Sequence, residues 1–264
     1  MKRRAPSSAS SKEANHRDPH ELIATKPPFV AASLNNELRQ TCEGAKLVVS
    51  DINDKAGEGV VDEIKKAGGE AIYVRADTSS AEQNEVLVKE TVKAFGRLDI
   101  AVNNAGIGGP QANVADYPVD GWDQVIAINL SGVFHGMRYQ IPEMLKTGGG
   151  SIINMASILG SVGFRTSSAY VAAKHGVVGL TKTAALEYGP QKLRVNAVGP
   201  GFIRTPLVEE SLPPETLKAL EEMHAMHRLG EGHEVAELVI WLASEKASFV
   251  TGGYYTVDGG YTAQ

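Results

Sequence analysis

Residues 46–75 read KLVVSDINDKAGEGVVDEIKKAGGEAIYVR, and the order of patterns inside that stretch decides the fold. Lys46 to Ser50 and Ala71 to Arg75 are short runs rich in β-branched and other apolar residues, bounded by polar ones, as buried strands are. Between them, Ala56 to Ala67 carries Val60, Val61 and Ile64 at helical spacing, and Gly68-Gly69 follows where a helix C-terminus needs glycine. Strand, helix and strand in this order form a βαβ unit. Continuous apolar strands predict a parallel sheet covered by helices on both faces.

The same rhythm continues outward. Further strand candidates are Asp99 to Asn103, Ser151 to Ala156, Leu193 to Val198 and Tyr254 to Val257, and a long helix runs from about Ser168 to Tyr188 before Gly189-Pro190 stops it. The fold class is α/β, with one doubly wound parallel sheet. Residues 21–264 read as a single domain, and residues 1–20, polar and without an apolar stretch, as a disordered tail. The segment from about Pro206 to Gly230 breaks the rhythm with Pro213-Pro214 and a helical stretch bearing Met223, His224, Met226 and His227, and reads as a substrate lid.

Composition narrows the function classes. With 264 residues, 42% of them hydrophobic, the chain can bury one sizeable core. A net charge of -5 offers nothing to nucleic acid or an anionic membrane surface, and no run approaches the roughly 20 apolar residues that span a bilayer. Cys42 is the single cysteine, which excludes an internal disulfide and thiolate-rich metal sites and fits a reducing cytoplasm. His224 and His227 lack a third imidazole nearby, so no metal is expected, and Met223 and Met226 read as cavity or core filling. The expected partner is a small molecule.

The candidate chemistry lies in SAYVAAKHG, residues 168–176. Tyr170 and Lys174 stand one helical turn apart on one face, where an ammonium would stabilise a phenolate and lower the tyrosine pKa from about 10. Tyr170 is then a general acid and base. Ser157 closes the strand-like SIINMAS at the carboxyl edge of the sheet, where open α/β folds place their sites. The YxxxK pair alone is equally a helix-surface pair. No GxSxG surrounds Ser157, which disfavours a serine hydrolase.

Several blocks between about residues 44 and 261 resemble the short-chain dehydrogenase/reductase family: the NNAG block Asn103-Asn104-Ala105-Gly106, Ser157, Tyr170 with Lys174, and the turn Pro200-Gly201. Asn129 matches the family's fourth catalytic residue. The resemblance implies a Rossmann-like sheet and an oxidoreductase that interconverts a secondary alcohol and a ketone. It implies that Tyr170 exchanges the proton, that Lys174 also bonds the nicotinamide ribose, and that Asn129 supports a water in the proton relay. Asp51 and Ile52 follow the second strand, where an acid bonds the adenosine ribose, so NAD is expected and NADP less so. Asp77 and Thr78 match the adenine side, and Ile203 and Thr205 the carboxamide side. Homodimers or homotetramers are common in the family, and Val177, Val178 and Leu180 fit either an interface or the core.

The N-terminus departs from that pattern. The family's TGxxxGxG loop, counted back from Glu43-Gly44, falls near residues 26–33, which read KPPFVAAS. Pro27 and Pro28 lack N–H groups, and Phe29 and Val30 occupy space where backbone should approach a phosphate. Leu22 to Thr25 reads as the first strand, and Ser33 as the cap of a helix carrying Leu34, Leu38 and Cys42, with Cys42 as buried packing. Either the loop has been rebuilt or the first forty or so residues come from a mistaken frame, exon or start, and the abrupt switch near Gly44 favours the second. A homologue impaired in cofactor binding and acting as a noncatalytic binding or scaffold protein is the rival reading.

Overall fold

The computed structural model describes residues 29–32, 45–205 and 214–263. Seven strands run parallel in one sheet. In chain order they are β1 (Phe29–Ala32), β2 (Lys46–Ser50), β3 (Glu70–Tyr73), β4 (Ile100–Asn103), β5 (Gly150–Met155) and β6 (Leu193–Pro200), with β9 (Tyr254–Val257) after a small separate pair, β7 (Ile203–Arg204) and β8 (Gly230–Glu231). The spatial order is β3-β2-β1-β4-β5-β6-β9.

Both faces of the sheet are covered, which explains the unbroken apolar strands. Val48 and Ile152 point into one core with Leu98, Met144 and Leu193, beneath α2 (Ala81–Phe95), α4 (Gly132–Lys146) and α5 (Ser168–Tyr188). Their neighbours Val49 and Ile153 point the opposite way, into a second core with Val61, Ile64 and Leu242 from α1 (Asp54–Lys66) and α7 (Gly232–Ala243). Strand side chains alternate, so a sheet buried on both sides needs an apolar residue at almost every position. The shorter α3 (Val119–Ile126) packs against α5 through Val125, and α6 (Pro214–Glu222) lies near the carboxyl edge of the sheet.

Local signals act as the sequence suggests. The Asn53 side chain caps α1 by accepting the Ala56 N–H at 3.2 Å, and Gly68 takes φ +87° just past its end. Arg194 on β6 donates to the carbonyls of Leu242 at 2.7 Å and Ser244 at 3.1 Å, satisfying acceptors that the end of α7 leaves open. No helix among the described residues is long and apolar enough to cross a membrane.

The first strand differs from expectation. The central strand is Phe29–Ala32, in register with Leu47 to Ser50 on one side and with Ile100 to Val102 on the other, so part of the stretch counted as the phosphate loop is strand. Leu22–Thr25 lies outside the described residues, as do the 1–20 tail, the Ser33 helix with Cys42, and residues 206–213 of the lid. A central strand must donate and accept on both edges. Phe29 to Ala32 can, because both prolines precede the run. Val177 and Val178 are buried in the core, and Leu180, half-buried, packs against it.

Candidate active site

The ends of β4, β5 and β6 open on a cleft of about 590 Å³ lined by Ser157, Tyr170 and Lys174. β5 delivers Ser157 as the chain turns into a short 3-10 segment, Ile158–Gly160. Its hydroxyl accepts the Leu159 N–H at 3.2 Å and its carbonyl accepts the Tyr254 hydroxyl at 2.5 Å, so the serine is held from both sides. Tyr170 and Lys174 project from α5, with the Lys174 ammonium 5.4 Å from the centre of the Tyr170 ring. Lys174, only 3% exposed, also donates to the Met155 carbonyl at 2.8 Å.

Burial dominates the electrostatics of this pair. The Tyr170 phenol is pushed above its ordinary value of 10 by burial, and a hydrogen bond with Ser157 opposes the rise. Burial pulls Lys174 down to about 8. The helical spacing therefore brings the two groups together as expected, but the net direction at Tyr170 is opposite to the expected one. Both groups have left water, and desolvation disfavours the phenolate and the ammonium alike.

Asn129 is fully buried in a single π-helical turn, Ala127–Ser131, between α3 and α4. Its side chain accepts the Ile107 N–H and donates to the Ile107 carbonyl, each at 2.8 Å. This amide fixes the loop after β4 against the cleft. A Cβ on Gly106 would stand 3.3 Å from the Asn129 Oδ1 and 3.6 Å from the Lys174 Nζ, so glycine keeps that passage open. π turns interrupt helices often at functional sites, and no sequence pattern announced this one.

The other expected residues divide by position. Asn104, Gly106, Pro200 and Gly201 line the cleft. Asn103 does not reach it: its amide bonds Asn154 at 2.8 Å and Gln140 at 2.8 and 3.2 Å in a buried network that continues to Thr181. Thr78 and Ala105 line a much smaller space behind β4. Asp77 holds its own turn, accepting the Ser79 N–H at 2.9 Å and hydroxyl at 2.7 Å. Ile203 pairs with Gly230 beside a separate pocket, and Thr205 ends the described stretch.

At the far end, Asp51 follows β2 and accepts the Asn53 N–H at 2.9 Å. The Arg75 guanidinium, from just beyond β3, bonds the Ile52 carbonyl and pairs with Asp54 at 3.1 Å. Tyr73 donates to the Asp51 carbonyl at 2.7 Å, and burial together with the Asp54 carboxylate pushes its pKa up to about 12. A search for an arginine directly after Asp51 misses Arg75, because the sheet supplies it from the neighbouring strand.

A family model described as enoyl-(acyl carrier protein) reductase matches residues 38–262. The chain belongs to the short-chain dehydrogenase/reductase family. As a member it is an oxidoreductase, and dehydrogenases of this family use NAD or NADP. It is 47% identical to a cyclohexanol dehydrogenase of Acinetobacter sp. (strain SE19), over 84% of this chain and 87% of that one. It is 41% identical to a cis-4-hydroxycyclohexanecarboxylate dehydrogenase of Sinomonas cyclohexanicum, over 83% and 88% respectively. The crystal structure of levodione reductase superposes with a TM-score of 0.84 at 36% identity, covering 90% of this chain and 98% of the other. The family match begins at residue 38, so the glycine-free segment 26–33 precedes it.

Sequence reading also missed the setting of His224. His224 is 2% exposed, Met223 is half-buried, and Met226 is exposed at a separate pocket rather than at the cleft. The methionine pattern is helical, but the chain leaves the helix at Glu222 before reaching it.

Proposed function

We propose that this chain oxidises an uncharged cyclic secondary alcohol to the ketone, and catalyses the reverse reduction, with NAD as its preferred cofactor and Tyr170 as general acid and base. The observation that carries the reading is the meeting of Ser157, Tyr170 and Lys174 in one cleft whose described lining holds no other formally charged side chain. Relatives named for ring alcohols support the substrate class.

The residues present suit a dinucleotide along most of its length. Gly106 leaves the nicotinamide end open beside Asn129 and Lys174, and Asp51 offers a carboxylate for ribose hydroxyls at the adenosine end. A 2′-phosphate would meet Asp51 as a like charge, while Arg75 is held by Asp54 and the Ile52 carbonyl. The pyrophosphate contacts would fall on residues outside the described ones. Bound nicotinamide supplies the acceptor for the hydride.

Ser157 holds the substrate oxygen and Tyr170, as phenolate, takes its hydroxyl proton. Tyr170 thereby becomes the phenol, and its proton passes on toward solvent by way of Lys174, which restores the phenolate, with Asn129 fixing the loop that shapes this path. Such a positioned acid and base contributes on the order of 10² to 10⁴ in rate. We read residues 21–264 as one domain with a lid over 206–230, working as a homodimer or homotetramer in the cytoplasm.

Titration of the full chain with NAD, followed by absorbance of NADH with cyclohexanol as substrate, tests the proposal. Saturable binding and turnover that disappears in Tyr170→Phe are expected. No binding at millimolar NAD would establish the rival reading of a noncatalytic homologue whose glycine loop has been lost.

A further inference from the structure

His224 is 2% exposed and lies against a separate pocket rather than the cleft, yet it bonds two residues that line the cleft. Its Nδ1 lies 2.8 Å from the Leu220 carbonyl, near the end of the lid helix α6. Its Nε2 accepts the Phe202 N–H at 3.3 Å, just after the Pro200-Gly201 turn. Leu220 and Phe202 both face the cleft with Tyr170. The two bonds engage both ring nitrogens, Nδ1 toward the Leu220 carbonyl and Nε2 toward the Phe202 N–H.

The ring is held as firmly as the nitrogens. Phe202 meets His224 edge-on at 5.9 Å, Tyr261 at 5.8 Å and Phe164 at 5.9 Å, and Tyr261 in turn meets His224 at 5.5 Å. Phe164 lines the cleft; Tyr261 stands behind it, near the C-terminus. A Cβ on Gly201 would come 2.9 Å from the His224 Nε2, so the glycine of the turn is what lets the imidazole approach. Phe202 therefore has one well-defined position, set from behind by His224 and Tyr261.

We propose that His224 is a positioning residue for substrate selection: by tying the lid helix to the Phe202 wall, with Tyr261 as its backing, it gives the cleft a rigid flat side that favours ring alcohols over open chains. The inference rests on the function proposed above and names what sets its selectivity. A planar wall gives contact to a preformed ring, whereas a flexible chain must lose rotamer freedom to use the same surface.

The test compares cyclohexanol with 2-hexanol, both with NAD, for the wild-type full chain, His224→Phe, His224→Gln and Tyr261→Ala, with circular dichroism for folding. In His224→Phe, kcat/KM for cyclohexanol should fall by about tenfold or more, mainly through KM, while 2-hexanol changes by less than about threefold. His224→Gln, which can still accept from the Phe202 N–H, should keep more of the ring preference. Tyr261→Ala should lose it with both hydrogen bonds intact, and it decides the matter if His224→Phe does not fold. A folded His224→Phe or Tyr261→Ala protein with the wild-type ratio of the two alcohols overturns the proposal. A wild-type protein that oxidises neither alcohol overturns the function on which it rests, a result distinct from an unchanged ratio.

Discussion

Replacing Lys174 by Met should make the stability of the protein respond differently to pH, and the size of the change follows from burial. Lys174 falls from 10.5 to about 8 on folding, so the unfolded chain holds the proton more tightly than the folded one. The folded state is then penalised wherever the ammonium stays charged, below the folded value, and the penalty is relieved as pH rises from about 8 toward 10.5. Complete relief amounts to about 3 kcal/mol. Between about pH 7 and about pH 9.5 the wild type should gain about 2 kcal/mol relative to Lys174→Met, in which no such group titrates. Urea denaturation of both cofactor-free proteins across that range, at constant ionic strength, measures the difference. The absolute offset at one pH also contains the lost bond to the Met155 carbonyl, but its slope with pH does not. A difference that stays flat to within about 0.5 kcal/mol, or that moves the other way, would refute the claim that Lys174 is held dry in the folded protein.

Other consequences are equally measurable. Because Tyr170 is held above its ordinary value, kcat/KM for alcohol oxidation should climb from about pH 6 to about pH 9 as the phenolate fraction grows, and Tyr170→Phe should lose about 10² to 10⁴ in rate. Asn129→Leu leaves the Ile107 N–H and carbonyl without their partner; calorimetry should show a loss of about 2 kcal/mol or more, accompanied by weaker turnover. Arg194→Met strips the donor from several carbonyls at the end of α7, and denaturant titration should record about 2 to 4 kcal/mol lost with little change in KM. Asp51→Asn should raise the Kd for NAD by about tenfold while narrowing its advantage over NADP, a ratio read directly from fluorescence titration.

The sheet was legible because its chemistry is local. Strands such as Ser151 to Ala156 and Leu193 to Val198 announce themselves by continuous apolar residues, and they occur within two residues of those positions. Ser157, Tyr170 and Lys174 were legible because a strand end and a helical period of four dictate where they point. The misplaced first strand had no such advantage: Leu22 to Thr25 and Phe29 to Ala32 are both short apolar runs, and only pairing with β2 and β4 separates them. Asn103 carried a motif position but turned inward, because an amide network with Gln140 and Asn154 needed it. The direction of the Tyr170 shift was hidden as well. Spacing reveals a neighbouring charge but not how much water both groups have lost. His224 could be singled out as a histidine, yet one of its partners, the Phe202 N–H, comes from a turn 22 residues earlier in the chain.

β1 has a consequence for how the molecule comes into being. Among the described strands it alone joins the β3-β2 ribbon to β4, β5, β6 and β9, since β2 and β4 do not touch as partners. During synthesis Phe29–Ala32 emerges first, but its second edge stays bare until β4 is made some seventy residues later. For that interval the chain carries an unpaired apolar strand with open hydrogen-bonding groups, the kind of edge that recruits other chains. The residues that join the two halves of the sheet are thus also the ones whose exposure, early in the ribosome's output, most endangers the yield of folded enzyme.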